Sequence, residues 1–106
     1  MIIQVDLRQH PPVVRLEEPE ETSAFHVAVI GGTDWGLVFG ALVDAAAGRL
    51  EGEHAFITID AVQRMAAGRV AAGWDARFVA MLEYARTKGW IDEGGHAIQA
   101  HVEWPG

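Results

Sequence analysis

Apolar residues first alternate with polar ones, then cluster at helical spacing, then alternate again toward the end of the chain. Residues 2 to 8, IIQVDLR, and 13 to 17, VVRLE, are rich in β-branched side chains and are separated by Pro11-Pro12. They predict two short strands forming a hairpin or an edge pair. The acidic run EEPEE, 17 to 21, predicts a solvated loop. A third strand is expected over 24 to 30, AFHVAVI, with Phe25, Val27 and Val29 on one face and His26, Ala28 and Ile30 on the other. Both faces are mostly apolar, which places it centrally in a sheet.

A helix over about 34 to 47 follows the double glycine Gly31-Gly32, and after its first turn Asp44 is its only charge. A helix apolar nearly all round belongs to the core or to an interface, because a lone surface helix needs a polar face. Gly36, Gly40 and Asp44 recur every fourth residue and fall along one side, leaving a shallow groove where another backbone or a ligand can approach.

Residues 55 to 59, AFITI, read as a strand. Asp60 with Gln63 fits a capping box opening a second helix, which buries Val62, Met65 and Ala66 and stops at Gly68. A third helix begins at Asp75 as N-cap, with Trp74 and Val79 as a hydrophobic staple. Phe78, Met81, Leu82 and Ala85 form its apolar stripe, and Arg77, Glu83, Arg86 and Lys88 its wet side. Gly89 closes it in the left-handed conformation, with Trp90 as the apolar contact of a Schellman cap. A turn at 91 to 95 leads to the alternating strand 96 to 104, HAIQAHVEW, whose one wet face predicts antiparallel surroundings.

Together these elements predict a single α+β domain: a mainly antiparallel sheet of about five strands, with three helices packed mostly on one face. The helix, turn, helix and strand from 60 to 104 resemble a winged-helix outline. Charge changes what such an outline implies. With 15 acidic against 8 basic residues and a formal net charge of -7, the chain repels phosphate, so neither nucleic acid nor an anionic membrane is an expected partner. A winged-helix shape would then serve protein binding.

Half of the residues are apolar and 22% are charged, the balance of an ordinary globular domain. There is no cysteine, which excludes disulfides, thiolate catalysis and Cys-ligated metals. The opening MIIQVDLRQH lacks a cationic start and a long apolar core, which raises the expectation of a cytoplasmic location.

Three constellations could carry chemistry. Gly31-Gly32-Thr33-Asp34-Trp35-Gly36 has the topology of a dinucleotide loop, but Thr33 replaces the glycine that admits a pyrophosphate and Asp34 sets a negative charge beside it. A tight turn capped by Thr33 or Asp34 explains more of these residues. His101 and Glu103 share a strand face and could join His26 in a two-His, one-carboxylate set if their strands were neighbours. No metal and no cofactor are expected, because nothing in the spacing requires that neighbourhood.

The third is an acid-base site. Asp44, on the apolar helix, and His26, on an apolar strand face, are the candidate catalytic groups if burial shifts their protonation. Four Trp and an almost wholly apolar helix exceed what one small core can hide, which predicts self-association or a protein partner. Two functions are therefore carried forward. One is an accessory or binding protein that docks a partner through Trp35, Gly36, Phe39, Gly40 and Trp104. The other is a small cofactor-free isomerase, hydratase or cyclase using Asp44 or His26 on an apolar small molecule. An enclosed cavity around those two groups favours the enzyme, and a flat apolar patch over the glycines favours the binding protein.

Overall fold

A computed structural model describes residues 1–105. The chain runs β1 (Ile2–Asp6), β2 (Val13–Glu17), β3 (His26–Ile30), α1 (Trp35–Asp44), β4 (Gly48–Glu51), β5 (His54–Thr58), α2 (Ile59–Ala66), α3 (Trp74–Thr87) and β6 (Ala97–Glu103). All six strands join one sheet in the order β2-β1-β3-β6-β5-β4. The pairs β1/β2, β4/β5 and β5/β6 are antiparallel, whereas β3 runs parallel to both β1 and β6. The sheet is therefore mixed and six-stranded, not mainly antiparallel with about five strands.

Two physical causes account for the difference. After the β1/β2 hairpin, residues 18–25 carry the chain back past β1 to its free edge, so β3 starts at the same end as β1. The added strand, β4, exists because α1 stops early: Ala45 caps it, and Ala46 takes a left-handed turn with φ 52° that releases the chain into extended backbone. β6 lies in the middle of the sheet, between β3 and β5, which departs from a winged-helix outline.

Alternation sorts the strands into an inner and an outer face. Ile3, Val5, Val27, Val29, Ala55, Ile57, Ile98, Ala100 and Val102 point inward and are buried. The register sets Ile3 beside Val27, Val27 beside Val102, and Ile57 beside Ile98, so inner side chains form continuous rows. α2 touches both β2 and β5, and α1 touches β1, β2 and β4, so the sheet curls around these helices. Phe78 and Trp74 bring α3 into the same buried cluster.

Helix termini follow local hydrogen bonding. Gly89 N-H donates to Arg86 O at 3.1 Å and Trp90 N-H to Ala85 O at 2.9 Å, the two bonds of the expected Schellman cap. α2 is capped by Thr58, whose Oγ1 accepts from Ala61 N at 3.1 Å, and Asp60 lies inside its first turn. Thr58 takes this role because it is the last extended residue of β5, where an N-cap must sit. α3 likewise starts one residue before Asp75: Gly73, at φ 91°, is its N-cap, and Trp74 is buried in its first turn. Val79 is exposed, so no staple forms; Trp74 instead stacks on Phe78 at 4.8 Å between ring centres.

The acidic segment does more than solvate a loop. Glu20 accepts from Ala71 N at 3.0 Å and from Arg77 Nη2 at 2.9 Å, and Pro19 O accepts from Trp74 Nε1 at 2.7 Å. These bonds fasten residues 19–20 to the start of α3.

Asp6 is a buried charged residue at the end of β1. Its Oδ1 accepts from Arg8 Nε at 3.0 Å and Arg8 N at 2.9 Å, and Arg15 Nη1 lies 3.6 Å from Oδ2. The Arg8 side-chain hydrogen bond is the main cause that holds its carboxyl below the ordinary value of 3.8, against the opposing effect of burial. A depressed folded-state value adds stability above pH 3.8, and that stability is lost as pH falls through the lower folded-state value. Asp6→Asn is expected to lower the urea midpoint at pH 7, with the gap from the parent protein narrowing at about pH 3 and below. An equal gap at both pH values would show that the charge contributes nothing.

Candidate docking surface

α1 is positioned by a turn that only glycine permits. Gly31 has φ 86°, and a Cβ there would lie 2.4 Å from Arg8 Cγ and 2.9 Å from Arg8 N. This close approach is locked by Leu7 N-H donating to Ile30 O at 2.8 Å. Asp34 then caps the helix, its Oδ1 accepting from Leu37 N at 3.1 Å. The motif thus serves as a turn and a cap, with the Asp34 carboxylate occupying the helix N-terminus.

The helix divides sharply between its sides. Val38, Ala41 and Leu42 are buried against the sheet. On the other side Trp35 is 47% exposed, Leu37 49% and Val43 52%, far more than their apolar surface favours. Phe39 is half-buried and stacks on Trp35, with ring centres 5.5 Å apart and planes inclined by 20°. Gly40 is bare: a Cβ there would meet nothing within 4 Å. At Gly36 a Cβ would touch only the Asp34 cap, at 3.4 Å. The glycines therefore serve no close packing within the chain.

Beside the helix lies a cleft of about 310 Å³. Trp35 of α1 and Trp104 after β6 form part of its wall, with Leu50 and Val102 as further apolar lining and Glu53 and His101 as polar lining. Trp35 and Trp104 both line this cleft, whereas Gly36, Phe39 and Gly40 lie along the adjoining helix and do not line it. Leu37 and Val43 belong to the same surface; the all-round apolar pattern of α1 contains that signal. Glu53 was not among the expected site residues and His101 was weighed only as a metal ligand, since they come from the β4–β5 turn and from β6 and meet Trp35 only through the tertiary fold.

Asp44 and His26 do not meet. Asp44 is exposed at the C-terminal end of α1. His26 faces the outer side of the sheet, opposite to the buried Val27, and neither residue lines the cleft.

The strands carrying His26 and His101 are neighbours. His26 sits directly beside His101, His54 flanks His101 on the other side, and His26 Nε2 lies 3.3 Å from Glu103 Oε2. Even so, among the described residues no three His, Asp or Glu side chains are arranged to hold a metal ion. No described helix is long and apolar enough to cross a membrane.

No family model, no curated protein and no solved structure matches the chain. What the α1 surface does must be inferred from its own residues.

Proposed function

We propose that this is a binding protein that docks another protein through the outer side of α1. The observation that carries the reading is the pairing of two facts on one helix face. Leu37 and Val43 stand about half exposed on either side of Gly40, where an added Cβ would meet nothing within 4 Å. A partner's side chains can enter the space over the glycines while the flanking apolar groups lose their contact with water. A second copy of the chain and a different protein both satisfy that geometry. A cytoplasmic location belongs to the same proposal.

The test is Gly40→Trp. An added Cβ meets nothing within 4 Å and glycine is a poor helix former, so the melting temperature should not fall. The complex that the parent protein forms in an extract of its own host should be lost, with elution moving to the monomer position on gel filtration. Unchanged elution would count against the proposal.

A further inference from the structure

The cleft beside α1 carries a chemistry of its own. Two indole rings, from Trp35 and Trp104, line it together with the Glu53 carboxylate. Glu53 is exposed and forms no salt bridge among the described residues, whereas Arg8, Arg15, Arg49, Arg64 and Arg77 each face an acid. Between Arg15 and Arg49 the sequence has no Lys or Arg, and α1 is bounded by Asp34 and Asp44 and neighboured by Glu53. Arg64 reaches the end of α1, but its guanidinium already donates to Asp60 Oδ2 at 3.2 Å and to Ala45 O at 3.1 Å. Indole faces attract cations, and a guanidinium both stacks on them and pairs with a carboxylate.

We infer that the cleft accepts an arginine or lysine side chain of the partner that covers α1, its cation held by the Trp35 and Trp104 rings and by Glu53. The inference rests on α1 being the docking face. Charge makes a basic partner the better occupant than a second copy. Two copies of α1 packed on each other about a two-fold axis would bring the acidic ends Asp34 and Asp44 of the two helices together in either direction, and each chain carries a formal charge of -7. A partner with an apolar anchor for Gly40 and a cation for the cleft meets both features at once.

Each of the four Trp carries one indole N-H whose nuclear magnetic resonance signal is assigned by single Trp→Phe changes. The probe is Nα-acetylarginine methylamide, with the neutral Nα-acetylnorleucine methylamide as its counterpart. Saturable shifts are expected at Trp35 and Trp104 and not at Trp74 or Trp90. Binding should be at least about ten-fold weaker for the norleucine compound and about five-fold weaker for the arginine compound in Glu53→Gln. Glu53 is exposed, so that variant should fold normally. Silence at Trp35 and Trp104, an equal response to norleucine, or an unchanged affinity in Glu53→Gln would each overturn the inference. The docking reading fails separately: it falls if Gly40→Trp leaves the host complex intact, whatever the arginine probe does.

Discussion

Replacing Trp74 with alanine is expected to lower stability by about 3–5 kcal/mol, which for a chain of this size is a fall of more than about 12 °C in melting temperature. Trp74 is 3% exposed, stacks on Phe78, and donates from Nε1 to Pro19 O at 2.7 Å. It therefore joins α3, the core and the acidic segment. Trp74→Phe retains an aromatic ring for the stack but loses the hydrogen bond and part of the buried indole volume, so it should cost less than alanine, about 2 kcal/mol. Thermal unfolding of both variants ranks the two losses. A loss below about 1 kcal/mol in the alanine variant would mean that α3 is not fastened as described.

Gly48→Ala is expected to be nearly as damaging, by about 3 kcal/mol. An added Cβ would lie 2.0 Å from Phe56 O and 3.0 Å from Phe56 C, both backbone atoms of the paired strand β5. Backbone cannot swing aside as a side chain can, so β4 must part from β5, and Leu50, 6% exposed, would lose its cover. Gly52, in the following turn, is the control. It has φ 59° and open space around a Cβ, so alanine there should cost only about 1 kcal/mol. Equal denaturation midpoints for the two variants would refute the proposed clash.

Elements governed by local chemistry are the ones readable in the sequence. The α3 stripe of Phe78, Met81, Leu82 and Ala85 and its closure at Gly89 depend on contacts and bonds within a few residues, and pattern alone reveals them. The inner row of β6, Ile98, Ala100 and Val102, is equally plain. Caps are less secure, because neighbouring residues compete: Asp60 has the right side chain, but Thr58 holds the right backbone position. β4 escapes notice because its four residues, GRLE, bury only Leu50, and its existence depends on the turn at Ala46. The parallel placement of β3 escapes for a broader reason, since strand order is fixed by packing across the whole chain.

The candidate site divides in the same way. The apolar circumference of α1 and its glycine side are visible in the sequence, and so is the conclusion that the helix exceeds what the core can cover. Trp35 and Trp104, 69 positions apart by their numbers, share a cleft because α1 and the end of β6 meet there. Glu53 joins them from a turn whose place depends on β4. The neighbourhood of His26, His101 and His54 likewise becomes visible only with the order β3-β6-β5.

The central claim, that the outer side of α1 is where this protein meets its partner, is tested most directly by comparing two tryptophan substitutions in host extract. Gly40→Trp fills the open glycine position of α1, and Val79→Trp enlarges a residue of α3 that is 52% exposed. On gel filtration Val79→Trp should elute in the same complex as the parent protein, and Gly40→Trp should elute as the monomer. Gly40→Trp eluting with the parent complex, or both variants losing it alike, would contradict the account.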